Sequence, residues 1–222
     1  MELRNIKKFG IELEGGWDMA PRDARLFKND SSVNVPGRWK VGEIVSPILT
    51  DWQAGSDFLL VNYPDHTGTS CGLHVHMSFG DAAANAFNVG RIADSRAYQD
   101  GLLTTLRELA AELKVTSKAF YSRIDGENTY CRPTWHNGRP LETERYRAVN
   151  FAAYNRHGTI EIRVLPMFSK RQISVRMVRR VLSYTDRYLS ALPAETDVVS
   201  TVPASALAAL SSDPVHIVKE VS

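Results

Sequence analysis

Four stretches of the chain place metal-seeking side chains on alternate residues, with apolar residues between them. They are Phe9-Gly10-Ile11-Glu12-Leu13-Glu14-Gly15, Gly42-Glu43-Ile44-Val45-Ser46-Pro47, Gly72-Leu73-His74-Val75-His76-Met77-Ser78-Phe79 and Thr159-Ile160-Glu161-Ile162-Arg163-Val164. Strand side chains alternate between faces with a period of two. Glu12 and Glu14 therefore share a face, as do His74 and His76, and Glu161 and Arg163. The apolar residues fall on the opposite faces. The alternation is looser in the Glu43 stretch, where Glu43 shares a face with Val45. If the four strands lie in one sheet, one face is a core and the other gathers carboxylates, imidazoles and a guanidinium. Such a gathering is costly unless metals or phosphates balance it.

Carboxylates are hard oxygen ligands that suit Mg²⁺ or Mn²⁺. Glu12, Glu14, Glu43 and Glu161 with one imidazole are enough for two such ions. Taken alone, Glu12-Leu13-Glu14 reads as a wet edge strand, and His74-Val75-His76 suits zinc equally well. Their co-occurrence with Glu161-Ile162-Arg163 shifts the balance. A guanidinium matches phosphate or carboxylate oxygens in a planar fork. Divalent ions plus Arg are the equipment for phosphoryl transfer, where catalysis is mostly positioning and charge neutralisation. The chain carries no phosphate-binding Gly-x-x-x-x-Gly-Lys-Ser/Thr loop, no dinucleotide fingerprint and no Gly-x-Ser-x-Gly nucleophile turn.

The elements that must position these groups follow from periodicity and turn signals. Strands are expected over 6–15, near 31–35, and over 42–46, 72–79, 146–154 and 159–165. The last two form a hairpin turning at 155–158. A short helix or turn is expected around 21–27. Asp51 reads as the N-cap of a helix running to about Tyr63. A helical region covers 82–113, with Gly101 interrupting or starting its second half. The stretch 117–142 reads as loop-rich, with a turn at Asn137-Gly138. The strongest helix covers 169–191, with Lys170, Arg171, Arg176, Arg179 and Arg180 as its solvated face. The fold class is α+β: a mostly antiparallel sheet, helices packed on one face, and a metal and nucleotide site on the open face. Residues 1–193 are read as one catalytic domain and 194–222 as a C-terminal tail.

Composition bounds the function classes. Of 222 residues, 43% are hydrophobic and 23% charged, which is ordinary for a globular protein. A net charge of +2 is too mild to argue for nucleic acid or a membrane surface. No apolar run is long enough to span a bilayer, and the N-terminus lacks the apolar core of a signal peptide, so a cytoplasmic location is expected. Cys71 and Cys131 read as free thiols in a reducing compartment. Cys71, beside the His strand, is either a small buried residue or a redox or metal group.

The ordered blocks Phe-Gly-Ile-Glu-Leu-Glu, Gly-Glu-Ile-Val-Ser-Pro, Gly-Leu-His-Val-His-Met-Ser, Arg-Tyr-Arg-Ala-Val-Asn-Phe and Thr-Ile-Glu-Ile-Arg-Val, between about residues 8 and 166, resemble the amidoligase family. That family belongs with the ATP-dependent carboxylate–amine ligases of the glutamine synthetase and glutamate–cysteine ligase fold. The resemblance implies that Glu12, Glu14, Glu43, His74 and Glu161 bind metal and that His76 faces nucleotide phosphate. It implies that Arg163 contacts the transferring phosphoryl group and that Arg147 and Asn150 are phosphate or substrate contacts. Arg123, Tyr130 and Cys131 resemble a weaker motif, for which packing is an equal reading. The activity implied is ATP-dependent amide-bond formation through an acyl phosphate, with ATP and two Mg²⁺ or Mn²⁺ ions as cofactors. The carboxylate and amine substrates would be amino acids, peptides or protein side chains. The rivals are a zinc hydrolase built on His74 and His76, and a binding domain of the same fold without activity.

Overall fold

The structure is a computed structural model that describes residues 2–19, 24–37, 40–136, 139–140 and 144–193. Its centre is strand β1, Lys8–Trp17. On one side β1 pairs with β3, Lys40–Val45, which pairs with the two-residue strand β2, Phe27–Lys28. On the other side it pairs with β4, Gly72–Ser78, then β8, Ile160–Pro166, then β7, Val149–Asn150. The sheet order is β2-β3-β1-β4-β8-β7, and every neighbouring pair is antiparallel. A separate pair joins β5, Trp135–His136, to β6, Arg139–Pro140. Among the described residues there are six α-helices: α1 Trp52–Asn62, α2 Ala82–Ala93, α3 Arg96–Glu112, α4 Lys118–Ile124, α5 Ala152–His157 and α6 Arg171–Ala191. The chain divides into two units, 1–190 and 191–222. The sheet and the site belong to the first. The expected tail, 194–222, lies outside the described residues, as does the expected turn at Asn137-Gly138.

The apolar alternation becomes the core. Ile11, Leu13, Leu73, Val75, Met77, Ile160, Ile162 and Val164 are fully buried. Helix α1 seats on this face, since a methyl group added at Gly55 would lie 2.9 Å from the Phe9 ring. Asp51 caps α1, its Oδ1 accepting from Ala54 N–H at 2.9 Å. Burial of whole Leu, Ile and Val side chains contributes about 1.5–3 kcal/mol each, so the core dominates the fold's stability.

Four expectations are corrected. No strand forms at 31–35, because Asp30 Oδ1 accepts from both the N–H and the hydroxyl of Ser32 and turns the chain there. The 82–113 helix breaks at Asp94-Ser95 rather than at Gly101. Gly101 instead lies inside α3, where a Cβ would meet Tyr184 Oη at 2.2 Å, so its bareness lets α6 approach. Within 117–142, α4 forms on the cap supplied by Ser117. The 146–154 strand shrinks to Val149–Asn150, because Asn150 Oδ1 accepts from Ala152 N–H and starts α5 where a strand and turn were expected. In the 20–27 region, residues 24–26 form a 3-10 turn and 20–23 lie outside the described residues.

Candidate metal and phosphate site

Register brings the chemistry together. Glu12 lies opposite His74, Glu14 opposite Glu43, His76 opposite Glu161, and Glu161 opposite Asn150. Directly opposed antiparallel residues point to the same face. A bulge between β4 and β8 sits beside His74: Leu73 faces Leu165, whereas Val75 faces Ile162. Two β8 residues, Arg163 and Val164, thus answer one on β4.

The hub is His74, which is 1% exposed. Its Nδ1 lies 2.9 Å from Glu12 Oε1 and 3.3 Å from Glu161 Oε1. Donor atoms of Glu12, His74 and Glu161 all fall within 4.8 Å of one another. Ligands of one octahedral ion at about 2.1 Å stand about 3 Å apart, so these spacings suit a face of a Mg²⁺ or Mn²⁺ shell. On the ring's other edge, His74 Nε2 is buried without a hydrogen-bond partner, 3.7 Å from Glu14 Oε1. A buried polar atom left unpaired beside a carboxylate is a cost that a cation can remove.

The backbone is shaped around this ring. Gly72 N–H donates to Glu14 Oε2 at 2.5 Å. A Cβ on Gly72 would strike His74 Nε2 at 2.3 Å, so no larger residue fits without moving the imidazole. His76 stands further out. Its Nδ1 meets Thr159 Oγ1 at 3.2 Å, and its Nε2 lies 3.7 Å from Glu12 and 3.9 Å from Glu161. Glu161 is held on both oxygens, accepting from Arg163 Nη1 at 2.5 Å and from Asn150 Nδ2 at 2.5 Å.

The electrostatics follow from this crowding. Burial would raise the Glu12 carboxyl, but His74 and then His76 outweigh it and hold Glu12 well below its ordinary range. Burial likewise opposes ionisation of Glu161, and His74, Arg163 and His76 bring it down. Glu43 goes the other way. Burial and the neighbouring Glu12 carboxylate push it up to about 7, and Lys28, 3.6 Å away, only partly offsets them. His76 is raised despite its burial, because Glu12 and Glu161 favour its charged form.

The polar face is recessed rather than open along its length. Glu14, His74, Glu161 and Arg163 are all buried. Arg123 of α4 closes one end, donating to the Arg163 carbonyl at 3.0 Å and to those of Ser70 and Cys71. The Tyr130 carbonyl accepts from Arg163 Nε at 3.5 Å. At the other end Glu12 and His76 border a cavity of about 560 Å³.

Of the residues singled out from sequence, Glu12, Glu14, Glu43, His74, His76, Asn150, Glu161 and Arg163 come together here. Arg147 is engaged elsewhere. It donates to the Pro133 carbonyl at 3.0 Å, pairs with Glu144, and lines a separate cavity of about 320 Å³. Cys71 and Cys131 are buried free thiols. Burial raises both, Cys131 to about 11, which fits packing rather than thiolate chemistry. Sequence reasoning missed Thr159, Gly72 and Lys28 as neighbours of the site. Gly72 and Thr159 each border a motif strand, and that adjacency was the available signal. No helix among the described residues is long and apolar enough to cross a membrane.

Comparison of the chain with protein-family models, with curated proteins and with solved structures gives no match in any of the three.

Proposed function

We propose that this chain is an ATP-dependent carboxylate–amine ligase, of the amidoligase kind with a glutamine synthetase-like catalytic fold. The observation that carries the reading is the convergence of Glu12, His74 and Glu161 within 4.8 Å, with Arg163 bonded to the last of them. Two carboxylates and one imidazole make an oxygen-rich donor set that suits Mg²⁺ or Mn²⁺, and His76, the second imidazole of the zinc reading, is not among the three. The 560 Å³ cavity beside Glu12 and His76 carries Lys8 and Lys28 along with apolar Val45, Pro47 and Ile48. That mixture suits a nucleotide, with phosphates toward the cluster and the base toward the apolar wall.

In this reading Glu12, His74 and Glu161 would hold one ion, and Glu14 and Glu43, on neighbouring strands of the same face, would contribute to a second. Bound ions supply Lewis-acid neutralisation of the phosphates. Arg163 is positioned to offset charge on the transferring phosphoryl group, and Asn150 fixes the Glu161 carboxylate. His76, outside the triad and on the cavity wall, is placed to meet a phosphate oxygen. A substrate carboxylate oxygen attacks the γ-phosphorus and ADP departs. An amine then attacks the acyl phosphate carbon and expels phosphate. Excluding water from the recessed face protects that mixed anhydride. A phosphate-release screen with ATP, Mg²⁺ and a matrix of acids and amines tests the reading. Release that requires one acid and one amine together supports it. Hydrolysis of esters or amides by a zinc-loaded form, without ATP, would replace it.

A further inference from the structure

We infer that the cavity lined by Arg147 is a second site, which binds a carboxylate of an acidic peptide segment. The site is separate from the metal cluster: Gly126, Glu127, Asn128, Thr129, Arg132, Pro133, Trp135 and Arg147 enclose its 320 Å³, and no residue of the cluster is among them. Arg147 is 8% exposed, and its Nε is buried without a hydrogen-bond partner. A buried guanidinium that is not fully paired is costly, and a ligand that completes its pairing is favoured.

The chain itself indicates which ligand. Arg147 Nη2 already holds a carboxylate, that of Glu144, whose side chain is 50% exposed. A half-exposed partner three residues away is a weak tether, so an incoming carboxylate can take its place. The surroundings extend the preference beyond a single acid group. Segments 130–132 and 145–148 run side by side, with Arg132 N–H bonded to the Tyr146 carbonyl and Ala148 N–H to that of Arg132. They display Arg132 and Arg145, both exposed, which form no ion pair with a described residue. The same two segments carry Tyr130 and Tyr146, each 37% exposed and packed edge to face at 5.7 Å. Arg145 sits 5.0 Å over one ring and Arg163 of the metal site 5.7 Å from the same ring.

Cations spaced along two paired segments that also carry aromatic rings suit an extended chain carrying several carboxylates. Glu127 and Asn128 on the cavity wall suit the N–H donors that such a chain also presents. A nucleic-acid strand has no regularly repeating backbone N–H to meet these acceptors, and the comparison ligands below include one. The patch reaches the metal site through Tyr146, so the bound segment lies beside Arg163. On the proposed function, the carboxylate substrate or its acceptor is then part of a peptide or protein rather than a free amino acid.

The test is binding of fluorescent hexaglutamate to the full chain without ATP or metal, so that it stands apart from ligase activity. Free glutamate, hexaglutamine and an oligothymidylate of equal charge are the comparison ligands. Hexaglutamate should bind, and the other three should bind at least tenfold more weakly. Changing the exposed pair Arg132→Ser and Arg145→Ser should weaken hexaglutamate at least tenfold with an unchanged melting temperature. Glu144→Gln should tighten it several-fold, because the resident carboxylate is gone. Glu112→Gln, the same charge change at an exposed residue paired with Arg176, should leave it unchanged. Equal tightening by both changes would mean that only bulk charge matters and would overturn the site. Tighter binding of the oligothymidylate, or of free glutamate, would overturn the ligand class. Peptide binding without any ATP-dependent ligation would leave this site standing and remove the proposed activity.

Discussion

Glu12 and His74 face each other across β1 and β4 and meet at 2.9 Å at the centre of the polar face. The contact keeps Glu12 ionised despite burial. Burial, and after it the ionised Glu12, raises the neighbouring Glu43.

The two histidines should separate. His74→Ala removes the hub of the cluster and should weaken Mn²⁺ binding tenfold or more. His76→Ala, whose ring is held by Thr159 and reaches the carboxylates only at 3.7–3.9 Å, should spare Mn²⁺ and mainly slow turnover. Calorimetric titration of each variant decides. Loss of metal from His76→Ala alone would reverse the roles.

Glu43 gives a pH dependence with a defined sign. Its folded-state pKa is pushed up to about 7, above an unfolded value of 4.5. The folded chain thus binds the Glu43 proton more tightly, and this contribution to stability is complete below about pH 4.5 and lost as pH rises through 7. The metal-free protein should melt at a lower temperature at pH 8 than at pH 5.5. Glu43→Gln should flatten that slope. Saturating Mg²⁺ should reduce it as well, because the ion stabilises the ionised carboxylate. A slope unchanged in Glu43→Gln would assign it to another group.

Gly72→Ala tests how tightly the imidazole is seated. The added methyl would lie 2.3 Å from His74 Nε2. Overpacking of this kind costs about 1–3 kcal/mol. Urea unfolding should show that loss, together with weaker Mn²⁺ binding. Full stability with normal metal affinity would mean that the ring is free to move.

Much of this arrangement was legible in the sequence because a strand's period of two states which side chains share a face. That Glu12, His74, His76 and Glu161 share one face follows once the apolar residues Ile11, Leu13, Val75 and Ile162 are required to share a core, whereas the register that sets Glu12 against His74 comes from the structure. The sequence could not reveal the bulge beside His74, since register shifts depend on both strands at once. Nor could it reveal that Arg147 bonds the Pro133 carbonyl and Glu144. A two-residue strand ended by the Asn150 side chain has too short a period to read, so the antiparallel pairing expected over 146–165 is kept only at Val149–Asn150 and helix α5 takes the place of the rest and of the turn. Helix α4 was hidden by the turn-forming residues that follow it, although Ser117 was a readable cap.

Arg163 separates phosphoryl transfer from mere scaffolding. Its guanidinium bonds Glu161 at 2.5 Å, and that contact raises its own pKa although burial opposes the charge. Lysine keeps the charge but loses the planar fork. With the acid and amine found by the screen, Arg163→Lys should lower kcat by about a hundredfold, with a smaller change in KM for ATP. If Arg163 only holds the strand, the variant would melt earlier yet keep near-normal kcat per folded molecule.

The most direct measurement of the central claim is the melting temperature with ATP, with and without divalent metal. Carboxylates crowded around His74 repel a triphosphate, and two like charges about 4 Å apart near a protein surface cost about 4 kcal/mol. ATP should therefore raise the melting temperature only when Mg²⁺ or Mn²⁺ is present, and Glu12→Gln or Glu161→Gln should abolish the rise. Equal stabilisation by ATP in excess EDTA, or none with metal, would contradict a metal-bridged nucleotide site.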